Sequence, residues 1–174
     1  MPGGERGARP KLIILDRDGV INHDSDAYIK SPDEWRPLPG SIEAIARLTK
    51  AGFRIAVVTN QSGVARGLFD LQVLAAIHAK MLALVEKAGG RIDAIFFCPH
   101  GPNAACECRK PKPGLFVEAL ERFGALPAET WSVGDHGAGA QRQGAGHDAA
   151  RRPAARHDRA RRPRRGGCRD RGAG

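Results

Sequence analysis

The sequence has no apolar run of the roughly 18 residues that a membrane-spanning helix requires, which excludes an integral membrane protein built on helices. Residues 1–10 also lack the apolar core of a secretory signal, so the expected compartment is the cytoplasm. Cysteine is scarce: four in all, at 98, 106, 108 and 168, of which three fall within eleven residues beside a histidine. That grouping suits a metal site in a reducing compartment better than a disulfide framework. From His136 to Gly174 there is no Val, Ile, Leu, Met, Phe, Trp or Tyr, so these 39 residues cannot build a core. Acidic residues are few there too: 11 arginines stand against Asp148, Asp158 and Asp170, a net +8 of the chain's +9. The body, residues 1–135, is therefore nearly neutral, and the charge that would otherwise point to nucleic acid belongs to the tail alone. That tail carries no aromatic side chain for base stacking, and nucleic acid is not the expected partner.

What remains is a body of one-domain size in which strand and helix alternate. Residues 11–15 (KLIIL) form a short, continuous apolar run ending at Asp16, the pattern of a strand buried on both faces. Ser41 is placed to cap a helix carrying Ile42, Ile45 and Leu48, and 54–58 (RIAVV) reads as the second strand. Asp70 is placed to cap a second helix with an apolar stripe through Leu71, Leu74, Ile77, His78, Met81 and Val85. A third strand over 92–97, a helix entered at Pro113 and a fourth strand over 131–133 complete the pattern. This alternation predicts an α/β fold, a Rossmann-like parallel sheet with helices on both faces. Such sheets place their sites beyond the carboxyl ends of the strands, where Asp16, Thr59, Cys98 and Asp135 stand.

Asp16-Arg17-Asp18-Gly19 puts two carboxylates two residues apart at a strand end, beside a glycine that permits a tight turn. By itself it is equally a polar turn, since Asp and Gly favour turns for conformational reasons. Its companions point to phosphate chemistry: Thr59-Asn60-Gln61-Ser62-Gly63 after the second strand, Arg109, Lys110 and Lys112, and Gly134-Asp135 after the fourth. Cys98-x-His100-x5-Cys106-x-Cys108 offers three thiols and an imidazole in one loop, a composition suited to a closed tetrahedral zinc site. Between Asp16 and Thr59 a loop and a helix fill the chain, which leaves no room for an inserted cap domain, so the site is expected to be open. His78 reads as a core-edge residue, and Arg66-Gly67 as a loop feature.

In these motifs, ILDRDGVIN, VVTNQSGVARG, CPHGPNAACECRKPKPG and SVGD, the sequence resembles the haloacid dehalogenase superfamily of phosphohydrolases. Within it the phrases are similar to the D,D-heptose 1,7-bisphosphate phosphatase branch, neighbour to the histidinol phosphatases. The resemblance implies a small phosphorylated sugar as substrate, a structural zinc and a magnesium ion, in a monomer. It implies that Asp16 is the nucleophile that forms an aspartyl-phosphate and that Asp18 is the acid and base. Thr59 and Lys110 would hold the phosphoryl oxygens, and Asp16, the Asp18 carbonyl and Asp135 would hold Mg²⁺. Arg109, Asn60, Gln61, Ser62 and the loop Asp24, Ser25, Asp26 and Ala27 would meet the substrate. Cys98, His100, Cys106 and Cys108 would bind Zn²⁺ and order the loop that delivers Arg109 and Lys110.

After Asp135 the resemblance stops. The family's second acidic residue is Gly139 here, and no apolar pattern supplies the strand and helix that would follow the fourth strand. The expectation is an incomplete phosphatase domain over 1–135, followed by a disordered or frame-shifted Arg/Gly/Ala-rich tail over 136–174. Three other readings accompany it: a histidinol-phosphate phosphatase, a truncated chain that is inactive and unstable, and a vestigial catalytic body whose basic tail binds nucleic acid through phosphate contacts.

Overall fold

The computed structural model describes residues 11–134 and, for the backbone alone, 140–142. Four strands, β1 (Leu12–Leu15), β2 (Arg54–Asn60), β3 (Ala94–Cys98) and β4 (Thr130–Val133), form a parallel sheet in the order β3-β2-β1-β4. Three helices connect them: α1 (Ser41–Lys50), α2 (Leu71–Lys87) and α3 (Gly114–Phe123). The two-residue period of a strand explains how the sheet is covered. Ile13, Leu15, Ile55 and Val57 point into one core with Ile42 and Ile45 of α1 and Ile77, Met81 and Val85 of α2. Leu12, Ile14, Ala56 and Val58 point into the other, against Leu115 and Ala119 of α3. The expected parallel sheet with helices on both faces is therefore present, without an inserted cap domain among the described residues.

Some local details differ from the expectations. Asp70 caps α2 as anticipated, its carboxylate accepting the Val73 N–H at 2.8 Å. Ser41 does not cap α1: Gly40, at φ 80°, takes the cap position, and the Ser41 hydroxyl donates to the Ile21 carbonyl at 2.7 Å. The hydroxyl thus ties the helix start to the loop after β1. That loop is itself anchored in the first core by Ile21, Ile29 and the fully buried Trp35. β3 starts at Ala94, two residues later than expected, because the Asp93 carboxylate accepts the Ile55 N–H at 2.8 Å and pairs with Arg54 and Arg91. The tail expected to hold no strand contributes β5 (Ala140–Arg142), antiparallel to β4. Backbone groups on an open sheet edge pair without any help from apolar side chains, which is why hydrophobic periodicity could not reveal it.

Candidate active site

Strand order reverses about β1, whose neighbours are β2 on one side and β4 on the other, so a crevice opens beyond their carboxyl ends. A cleft of about 760 Å³ lies there, lined among others by Asp16, Asp18, Thr59, Asn60, Gln61, Arg109 and Lys110. β1 delivers Asp16 to the cleft floor, where its backbone N–H donates to the Val133 carbonyl of β4 at 2.9 Å. Gly19, at φ 77°, lets the chain turn back immediately, and Ile21 and Asn22 donate to the Arg17 carbonyl at 2.8 and 3.1 Å. Both carboxylates are thereby held at the mouth of one short turn.

The Lys110 ammonium is paired with the Asp16 carboxylate and donates to the Val58 carbonyl at 3.0 Å. Burial pushes the Asp16 carboxyl above its ordinary value, and Lys110 pulls it back; the like charge of Asp18 is the weakest influence. Asp18 is held on all sides. Arg17 donates from Nε at 3.0 Å and from Nη2 at 2.8 and 3.0 Å, Asn22 Nδ2 at 2.9 Å and Gln61 Nε2 at 2.8 Å. Gln61 also donates to Thr59 Oγ1 at 2.9 Å, so this amide links the second carboxylate to the buried threonine.

Asn60 serves the loop that brings Lys110. Its Oδ1 accepts the Lys110 N–H at 3.0 Å and its Nδ2 donates to the Lys110 carbonyl at 3.2 Å. Arg109 lines the cleft and donates to the His100 carbonyl at 3.2 Å. Asp24, Ser25 and Asp26 line the cleft from a loop that holds itself together, Ser25 N–H donating to Asp24 and Ala27 N–H to the Ser25 hydroxyl. Ala27 and the buried Ser62 are not among the lining residues, whereas Tyr28 is. Asp135 lies outside the described residues, as does Cys168; Val133 and Gly134, just before Asp135, line the cleft.

The loop after β3 gathers Cys98, His100, Cys106 and Cys108 so that their ligand atoms all lie within 4.8 Å of one another. Sulfurs held tetrahedrally about 2.3 Å from a zinc ion lie about 3.8 Å apart. Cys98 Sγ is 3.8 Å from Cys106 Sγ and 3.2 Å from Cys108 Sγ, and His100 Nδ1 is 3.2 Å from Cys108 Sγ. Burial and the neighbouring Cys98 and Cys106 push the Cys108 thiol up to about 12, a crowding of sulfur that a divalent cation would reverse. These donors fit zinc. For magnesium, the hard oxygens of Asp16 and of the backbone at the end of β1 are the fitting donors. Lys112 braces the loop by donating to the Cys106 carbonyl and Glu107, and Gly114 approaches so closely that an added Cβ would lie 2.3 Å from the Glu107 carbonyl oxygen. The metal loop is thus packed against the start of α3.

Two participants escaped the motif reading. Arg17 is almost fully buried against Asp18, and His78 of α2 reaches it, Nε2 lying 3.4 Å from Arg17 Nη1. The apolar stripe that places His78 inward was legible, but a contact 61 residues away in sequence was not. Tyr28, at φ 64°, carries Arg66 over its ring at 5.7 Å; Arg66 was read only as a loop feature, and Tyr28 belonged to no recognisable pattern.

The chain is similar to known proteins over most of its described length. The chain is 58% identical over 124 residues to a D-glycero-beta-D-manno-heptose-1,7-bisphosphate 7-phosphatase of Pseudomonas aeruginosa, covering 71% of this chain and 70% of that one. A relative of the same description from Rhodopseudomonas palustris is 38% identical, over 73% of this chain and 74% of its own. Among solved structures, D,D-heptose 1,7-bisphosphate phosphatase from Bordetella bronchiseptica, complexed with magnesium and phosphate, superposes with a TM-score of 0.71 at 58% identity. That match covers 72% of this chain and 70% of the other. A model of haloacid dehalogenase-like hydrolases matches residues 4–141, and with the paired carboxylates at the end of β1 and the lysine above them, the chain belongs to that family.

Proposed function

We propose that this protein is a magnesium-dependent phosphoric monoester hydrolase that removes the 7-phosphate of a heptose 1,7-bisphosphate. The observation that carries the reading is the meeting of Asp16, Asp18, Thr59 and Lys110 in one cleft at the switch point of the sheet. In the first half-reaction an Asp16 carboxylate oxygen attacks phosphorus while the ester P–O bond breaks, and Asp18 gives a proton to the departing sugar oxygen. In the second, Asp18 takes a proton from a water molecule that attacks the same phosphorus, releasing inorganic phosphate and restoring the Asp16 carboxylate. Thr59 and Lys110 receive the phosphoryl oxygens, and Arg109 and the Asp24–Asp26 loop line the path to the rest of the sugar. Magnesium, held by Asp16, the Asp18 carbonyl and Asp135, would offset the negative charge gathering on the phosphoryl group. Zinc would be held by Cys98, His100, Cys106 and Cys108, and its role there would be to order the loop that carries Arg109 and Lys110.

The wider reading is a cytoplasmic monomer, the compartment following from thiol ligands that a reducing environment keeps free of disulfides. No helix among the described residues is long and apolar enough to cross a membrane. Residues 136–174 take no part in the chemistry proposed, and the family match ends at 141. The test is an Asp16→Asn variant assayed for phosphate release from the heptose bisphosphate. It should keep the fold and lose turnover by about three orders of magnitude or more; retained turnover overturns the nucleophile.

A further inference from the structure

Asp18 has two tasks in the proposed reaction, and both need its carboxyl group aimed at one point in the cleft. The group that fixes it most firmly is Arg17, whose guanidinium is 1% exposed and spans both Asp18 oxygens. A buried guanidinium is only as well placed as its remaining donors are satisfied. On the far side of the fork Nη1 meets Nε2 of His78, 3.4 Å away, on a helix whose neighbouring Ile77 and Met81 are locked in the core. His78 is itself pinned, 8% exposed and edge-to-face with Phe97 of β3 at 6.2 Å. Its ring nitrogen can accept from Arg17 only when unprotonated. Burial first, and then the Arg17 charge, push His78 down to about 4, which keeps that acceptor available at neutral pH.

We propose that His78 is a positioning residue for this phosphatase reaction: its Nε2 accepts from Arg17, and the guanidinium so fixed holds the Asp18 carboxyl group on its line to the leaving oxygen. The chain of contact runs from α2 through Arg17 to the acid and base, without His78 touching substrate. This rests on the function proposed above, and it deepens it by naming a residue on a helix that carries none of the sequence motifs.

The experiment is steady-state turnover of heptose 1,7-bisphosphate by wild type, His78→Phe, His78→Gln, Arg17→Lys and Asp18→Asn, with inorganic phosphate as a competitive probe of the cleft. His78→Phe keeps the ring and loses the acceptor, and should lower kcat by roughly tenfold to a hundredfold with KM and the phosphate inhibition constant unchanged. His78→Gln restores an acceptor oxygen and should recover most of kcat. Arg17→Lys keeps the charge but cannot span Asp18 and His78 together, and should show the same selective loss of kcat even where His78→Phe does not fold. Wild-type kcat in His78→Phe, or a loss in Arg17→Lys shared equally by kcat and phosphate binding, overturns the positioning role. Full turnover by Asp18→Asn would instead overturn the function on which that role rests, so the two failures are distinguishable.

Discussion

At the scale of single residues, the site is organised by what each polar group is already bonded to. Gln61 and Asn60, which family resemblance assigns to substrate, have their amides engaged by Asp18, Thr59 and the Lys110 backbone. In the proposed reaction their contribution is to hold Asp18, Thr59 and Lys110, and Gln61→Ala should therefore act on kcat more than on KM, as a steady-state assay will show. His78 makes a second prediction that needs no substrate. Its folded value of about 4 lies below the ordinary 6.5, so between those values the unfolded chain binds a proton that the folded chain does not. Stability is then complete above about pH 6.5 and falls as pH drops toward 4, by about 3 kcal/mol at most from this group. Urea midpoints at pH 7 and pH 5 should fall less in His78→Gln, which lacks the titrating ring. Equal falls would contradict the burial of a neutral imidazole beside Arg17 and Asp18.

At the scale of elements, the loop from Cys98 to Lys112 joins the Cys98, His100, Cys106 and Cys108 cluster to the lysine paired with Asp16, with one residue, Arg109, between Cys108 and Lys110. Stripping zinc with a chelator and restoring magnesium alone should raise KM and depress kcat/KM; unchanged kinetics after complete zinc removal would contradict the ordering role. Helix α2 depends on its Asp70 cap, and Asp70→Ala should cost about 1 kcal/mol in denaturant titration. Much of this was legible beforehand. The run at 11–15, the spacing of Cys98, His100, Cys106 and Cys108, and the stripe through Leu74, Ile77, Met81 and Val85 carry their structure in local pattern. The rest depends on partners remote in sequence: Ser41 spends its hydroxyl on Ile21, Asp93 straightens the entry to β3 through Ile55, and Arg17 finds His78 only after α2 has docked. Local periodicity is also silent about β5, which pairs with β4 through its backbone.

At the scale of the whole molecule, a two-sided core, largely aliphatic, supports β1 and β2, and among the described residues strand ends and loops rather than a cap domain line the cleft. If, as proposed, the loop at Asp24–Asp26 and Arg109 meet the sugar, the heptose bisphosphate should be turned over in preference to histidinol phosphate when the two are compared at equal concentration. In the proposed reaction the phosphoryl group passes through Asp16. The most direct test is to react the chain with heptose bisphosphate labelled at the 7-phosphate, quench in acid within the first turnovers, and map the label on the peptides. Label is expected on the peptide containing Asp16, and none in Asp16→Asn. Phosphate released with no label on the chain, or label on a peptide that lacks Asp16, would contradict it.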